Sequence, residues 1–218
     1  MYHNELTNII AGIKHHLQSC NYNGIDHIPC PENILSSLPL SLEQLENKLS
    51  TCRRCNLSQT GKRTVFGKGK TNASLLFVGD IPVEEEAGKL LTRIIEAIKL
   101  TRDTVYVCNV IKCRPPLNRQ PNDYEIAACK GFLFKQIELI QPKIICALGS
   151  LAGQVLLRSE LPLSKLRGKF HTVDSFNNIN VIVTYHPRYL LEHPEKKILA
   201  WEDMKMLKAR LKLLLKQA

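Results

Sequence analysis

Several features are missing from this chain, and each absence closes off a class of protein. There is no apolar run of about 18 residues, which excludes an ordinary transmembrane helix. The opening stretch MYHNELTNIIAGIKHHLQSC has no basic start, long apolar segment or small-residue cleavage site of a secretory signal, so the cytoplasm is the expected compartment. No internal repeat is present, which sets aside solenoids and propellers. The stretch FGKGKT (66–71) lacks the glycine spacing of a phosphate-binding loop and precedes a strand rather than a helix, so a nucleoside-triphosphatase reading fails.

What is present suits a soluble α/β domain with a basic surface. The 218 residues have room for one domain and an extension, and 44% hydrophobic content supports a real core. The 30 Lys and Arg against 20 Asp and Glu leave a net charge of +10, a balance that suits a polyanionic partner. Simple solubility is the blander account of the same charge. Eight cysteines in a reducing compartment point to ligands or buried thiols more than to disulfides.

Residues 3–17 carry Leu6, Ile9, Ile10, Ile13 and Leu17 at helical spacing, and 19–40 read as a linker rich in Asn, Ser, Gly and Pro. We therefore divide the chain into an N-terminal helix and linker (1–40) and a main domain (41–218). In the latter, Ser41 caps a short helix with Leu42, Leu45 and Leu49 on one face. Four short apolar runs follow: ASLLFVGD (73–80), TVYVCNVIK (104–112), KIICALGS (143–150) and INVIVTYHP (179–187). Helical patterns over 84–98 and 122–140 alternate with them, and a basic amphipathic helix over 195–217 closes the chain. Near-continuous apolar strands alternating with helices predict a parallel sheet covered on both faces. Such sheets bind ligands at the carboxyl ends of their strands, which would bring Asp80, Asn109 and His186 to one pocket.

Cys52 and Cys55 form a C-x2-C pair within TCRRC, while Cys113 and Cys129 bracket the proline-rich stretch KCRPPLNRQPNDYEIAAC. All four lie in loops or at element edges, which favours a metal of some kind. Cys108 and Cys146 sit within apolar strands and read as buried thiols. The wide second pair makes zinc a second choice, and the spacing matches none of the ferredoxin patterns, so the metal is left open by spacing alone.

The run from C-x2-C through VFGKG, LLFVGD, VYVCNVIKCRPPLNRQPNDYEIAAC, QPKIICALGSLAG, LRGKF and TYHPRYLL resembles the family 4 uracil-DNA glycosylases over about residues 45–215. The resemblance implies a three-layer α/β/α fold with a four-stranded parallel sheet, extended here by the N-terminal helix. It implies a structural [4Fe–4S] cluster on Cys52, Cys55, Cys113 and Cys129, pinning a loop from which Lys112, Arg114 and Arg119 would face DNA. The implied activity is hydrolysis of the deoxyuridine N-glycosidic bond in single- or double-stranded DNA, by a monomer that engages no membrane. The implied catalytic pair is Asp80, assisting water attack, and His186, donating to uracil O2. Asn109 would read the base through N3–H and O4, with Gly79, Pro82 and Glu86 beside it; Glu86 equally suits the opening of a helix. DNA contacts would fall to Arg114, Arg119, Lys165, Arg167, Lys169 and Arg188, with Tyr189 and Leu190 at the wedge into the base stack.

One segment departs from that pattern. The family carries a glutamate, a glycine-proline-glycine turn and a later phenylalanine on which uracil stacks; this chain reads GDIPVEEEAGKLL (79–91). Asp80 is one methylene shorter than glutamate, and about ten residues with the phenylalanine are absent. The expectation is detectable but weak excision. The alternatives are a DNA-binding homologue that has lost efficient catalysis, and a glycosylase for another deaminated base.

Overall fold

The computed structural model describes residues 41–59, 64–82, 84–173, 176 and 178–216. The expected helix over 3–17 and linker over 19–40 lie outside the described residues, as does the division at residue 40. Helices α1 (Leu42–Ser50), α2 (Glu85–Ala97), α3 (Asp123–Ile140), α4 (Ser150–Leu157), α5 (Leu163–Leu166), α6 (Pro187–Glu192) and α7 (Lys197–Lys216) alternate with strands β1 (Lys68–Gly69), β2 (Leu75–Gly79), β3 (Tyr106–Asn109), β4 (Ile144–Leu148), β5 (Phe170–Val173) and β6 (Ile179–Thr184).

The sheet order is β1-β3-β2-β4-β6-β5. Its middle four strands are parallel, as expected from their apolar runs. The expectation of four strands is corrected to six, because β1 and β5 add antiparallel edges against β3 and β6. Alternate residues of the parallel strands feed two cores. Leu76, Val78, Cys108, Ile145, Ala147, Val181 and Val183 pack with Leu133 and Ile137 of α3 and with Ala152 and Leu156 of α4. Leu75, Phe77, Ile144, Cys146 and Ile182 pack with Leu91 and Ile95 of α2 and with Met204, Leu207 and Leu211 of α7. Burying a side chain such as Phe77 contributes about 1.5–3 kcal/mol, so the two-sided burial of this sheet is the main force holding the layers.

Local signals set the helix starts. Ser41 and Gln44 form a reciprocal capping box on α1, and Asn122 and Glu125 form another on α3. Glu125 is buried and also takes both terminal nitrogens of Arg119, at 2.6 and 2.8 Å. α1 lays Leu45 and Leu49 against Phe132 of α3, which anchors the chain just before the TCRRC loop.

The register aligns the strand ends. Gly79 pairs with Asn109 on one side and with Leu148 on the other, and Leu148 pairs with Thr184. Asp80, Gly149 and the Tyr185–His186 pair thus leave the sheet along one line.

Candidate active site and cysteine cluster

Gly79 is the floor on which two of the expected residues meet. A Cβ built there would lie 2.6 Å from the Asn109 amide and 3.7 Å from His186 Nε2, so the missing side chain leaves room for both. The Asn109 amide is oriented by its surroundings, with its nitrogen donating to the carbonyl oxygens of Ile81 and Cys108 at 3.2 Å each. Its oxygen is left to accept.

His186 is the N-cap of α6, and its Nδ1 accepts from the backbone N–H of Arg188 at 3.2 Å. An accepting Nδ1 puts the proton of the neutral ring on Nε2. Nε2 is buried and is the only such side-chain polar atom without a partner among the described residues. Burial, helped by the charge of Arg188, lowers the His186 pKa to about 4. The neutral ring therefore carries an Nε2–H donor with no partner among the described residues.

Asp80 turns a different way. Its Oδ1 accepts from the backbone N–H of Ala152 at 2.7 Å, at the start of α4. Desolvation raises its pKa to about 7, against the lowering effect of backbone hydrogen bonds from Ala152 and Leu151. Gly149 fits against this carboxyl: its φ is +107°, and a Cβ there would meet Asp80 Oδ2 at 2.4 Å. The expected convergence is thus realised for Asn109 and His186, while the Asp80 carboxyl sits one step aside, between the ends of β2 and β4. The link from β2 to α2 is short, residues 80–84, in keeping with the absent segment. Pro82 is buried in it, and Glu86 is exposed in the first turn of α2, where it opens the helix and reaches no pocket.

The residues expected to face DNA divide into two groups. Lys165, Lys169 and Arg188 are exposed, the last in a surface pair with Glu192. Arg114 pairs with Glu84, Arg119 with Glu125, and Arg167 with buried Asp203. Two expectations are corrected. Lys112 is 0% exposed, because it points inward to Gln136 Oε1 and the Phe66 carbonyl. Leu190 is 1% exposed, since its position on α6 turns it into a hollow with Leu90, Ile94 and Met204; it cannot wedge into DNA. Tyr189 is on the surface, stacked between Tyr185 and His193 at 5.4 and 4.2 Å.

Cys113 and Cys129 are buried, and Cys52 and Cys55 are half-buried near them. Burial and the neighbouring Cys129, Cys55 and Cys52 sulfurs push the Cys113 thiol up to about 12. Cys129 rises to about 11 through burial, with Cys55 and Cys52 adding to it, and it accepts from the backbone N–H of Lys112 at 3.3 Å. All four sulfurs thus lie within electrostatic reach of one another. Among the described residues, no three His, Cys, Asp or Glu side chains gather closely enough to hold a single ion. Cys108 and Cys146 are buried in β3 and β4, and burial raises both thiols.

Sequence reasoning passed over three of these features: the α4 cap on Asp80, the Lys112–Gln136 pair and the backbone lock on His186. Only the last left a trace in the sequence, since a His-Pro step at a strand end is a natural helix start.

The profile of the Uracil DNA glycosylase superfamily matches residues 66–205. The chain is 35% identical over 170 residues to a type-4 uracil-DNA glycosylase of Archaeoglobus fulgidus, covering 71% of this chain and 85% of that one. It is 37% identical over 185 residues to the type-4 uracil-DNA glycosylase of Sulfurisphaera tokodaii, covering 77% and 84%. Against that of Thermotoga maritima it is 35% identical over 184 residues, covering 78% and 95%.

Proposed function

We infer the activity from the premise that this chain belongs to the uracil-DNA glycosylase superfamily, among its type-4 members. It is a uracil-DNA glycosylase, a hydrolase that cuts the bond between uracil and deoxyribose. The observation that carries the residue assignment is the buried, unpartnered Nε2–H of His186 beside the Asn109 amide above Gly79. A base inside a duplex is out of reach of such a floor, so the nucleotide must first leave the stack.

With uracil on Gly79, Asn109 Oδ1 accepts from N3–H and His186 Nε2–H donates to O2. As C1′–N1 breaks, its electron pair goes to the base and builds charge on O2, where a fixed neutral donor is most effective. The Asp80 carboxylate offsets the cationic sugar, water adds its oxygen to C1′, and the water proton leaves to Asp80 or to solvent. Cytosine, whose N3 bears a lone pair, would oppose Asn109 Oδ1 with a second acceptor.

Cys52, Cys55, Cys113 and Cys129 form an all-sulfur donor set, which suits iron–sulfur chemistry or zinc. We assign them a [4Fe–4S] cluster, which four cysteine thiolates hold. When bound there, the cluster would cross-link the segments carrying Cys52, Cys55, Cys113 and Cys129 and would take no part in the hydrolysis. Uracil-containing DNA is the partner, and the exposed Lys165, Lys169 and Arg188 are the phosphate contacts this reading prefers. Among the described residues no helix is long and apolar enough to cross a membrane; a monomer in the cytoplasm fits these features.

A second reading has one observation in its favour. Both hydrogens of the Asn109 amide go to backbone carbonyls, so recognition rests on accepting a lactam N–H, which other deaminated bases also carry. Single-turnover release of free base from oligonucleotides holding uracil, hypoxanthine, xanthine or cytosine tests both readings. Release of uracil above the others supports the first, comparable release of several deaminated bases supports the second, and no release at any enzyme excess defeats both.

A further inference from the structure

We propose that Leu117 is the apolar wedge that enters the DNA duplex beside the extracted nucleotide. This rests on the glycosylase reading above and goes beyond it, because the site that sequence comparison offers for the wedge, Leu190, is buried.

Leu117 is 99% exposed, more than any other large hydrophobic residue among those described. It sits at the tip of the loop between Cys113 and α3, and its backbone is left-handed, with φ 52° and ψ 21°. Asn118 follows at φ 54°. Two successive non-glycine residues in this region are uncommon, and a leucine gains nothing locally from it, unlike an asparagine. No packing gain offsets the strain, since the side chain stands in solvent. Strain held where nothing packs is a pointer to function.

The loop is built to keep that shape. Pro115 and Pro116 fix the entry, and Asn118 and Arg119 close backbone hydrogen bonds onto their carbonyls at 3.2 and 3.1 Å. Arg114 Nε donates to Asn118 Oδ1 at 2.8 Å, and Glu84 Oε1 accepts from both Arg114 and Asn118 at 2.8 and 2.7 Å. Glu84 belongs to the short link that begins with Asp80, so the root of the loop is fixed to the segment that borders the pocket. Arg119 is held by buried Glu125 immediately beyond. The cations expected to grip phosphate here are largely spent on bracing, and what the brace presents is a leucine.

Apolar side chains inserted between base steps unstack them, and extraction of a nucleotide leaves a gap that such a side chain can fill. A wedge already held in its working shape loses little freedom on insertion. Tyr189 is less suited, being stacked on Tyr185 and His193.

The test compares the parent with Leu117→Ala and Leu117→Phe, all purified with their cysteine site loaded and matched in visible absorbance and melting temperature. The first readout is the fluorescence of 2-aminopurine placed next to a non-cleavable 2′-fluorodeoxyuridine in a duplex. The second is single-turnover excision of uracil from duplex against single strand. We expect Leu117→Ala to lose most of the fluorescence rise and to lower the duplex-to-single-strand excision ratio about tenfold, with Leu117→Phe recovering both. A fluorescence rise unchanged by Leu117→Ala overturns the proposal, as does an equal loss on both strands, which would mean a contact with backbone or with a protein partner. If the parent releases no uracil from either substrate, the glycosylase reading fails while the fluorescence arm still judges Leu117.

Discussion

Among the described residues, the half-buried Arg167 and the buried Lys112 are treated differently. Arg167 meets a carboxylate: its guanidinium donates to both oxygens of buried Asp203 and to the Leu199 carbonyl, and Thr184 Oγ1 donates to the same carboxylate at 2.7 Å. That network is complete within the chain. Lys112, by contrast, meets only neutral oxygens, those of Gln136 and Phe66, and burial lowers its pKa, with the neighbouring Cys108 and Cys129 sulfurs acting against that. A buried charge without a counter-charge is costly, so a charged Lys112 would find its counter-charge only with Cys129 ionised, as a metal-bound sulfur would be. The pocket repeats the contrast on a smaller scale. Asp80 is satisfied by α4, whereas His186 Nε2 has no partner. Groups whose partners lie inside the chain hold the fold; those left open mark where something else belongs.

The largest effect that would break this comparison comes from metal. Cys113→Ser or exhaustive chelation should remove iron and sulfide and melt the Lys112–Gln136 region, seen as lost visible absorbance and lost amide protection in α3, while β4 and β6 stay protected. Stable iron in Cys113→Ser would refute the ligand assignment. In the chelated protein, Lys112→Met should raise the melting temperature, and in the loaded protein it should not.

Next is Asp203→Ala, which strands Arg167 and should cost about 3–5 kcal/mol of stability by denaturant titration. The double variant with Arg167→Met should recover much of that loss. If Asp203→Ala is neutral, the closed network is not what holds α7 to the sheet.

For the open group in the pocket, His186→Ala should slow single-turnover excision by about 10²–10³, with DNA affinity little changed. Asp80→Ala should cost stability as well as rate, because an α4 cap is lost with it. A larger rate loss for Asp80→Ala at unchanged stability would reverse the roles assigned here.

The smallest effect is on pH. Asp80 has its pKa raised to about 7, so its anion forms only above that value and excision should rise with pH through about 7. The rise is at most about tenfold per pH unit. Stability moves the opposite way: a carboxyl raised above its unfolded value binds its proton more tightly in the fold, so its contribution is present in acid and fades as pH climbs from about 4 to about 7. His186, lowered to about 4, stays neutral in the fold around pH 7 and adds no inflection to excision there; its contribution to stability runs against that of Asp80, present above about 6.5 and lost as pH falls from about 6.5 to about 4. A pH profile for Asp80→Asn that still inflects near 7 would assign the titration elsewhere.

The sheet was legible because parallel strands buried on both faces read as apolar runs, and LLFVG and IICAL are such runs. The start of α3 was legible too, through Asn122 and Glu125. Edge strands were not: β1 is two residues long and β5 is half-exposed, so neither carries a periodic signal. In the site, strand ends located Asn109 and His186, since position along a strand fixes both. The aim of a side chain beyond the strand is set by what lies opposite, and nothing in GDIP says that Asp80 will find the N–H of Ala152. Leu190 escaped for a related reason. A six-residue helix shows less than two turns, too few to tell its inward face from its outward one.

The lock on His186 has one more consequence, for how this site can change over generations. A backbone N–H, not a carboxylate side chain, determines which ring nitrogen carries the proton. Nearly every replacement at position 188 leaves that N–H in place, so drift in the surface charge of α6 is free to retune DNA contact without altering the tautomer. Proline alone among the natural residues would delete the donor. The site is therefore insulated from most single substitutions around it and exposed to one.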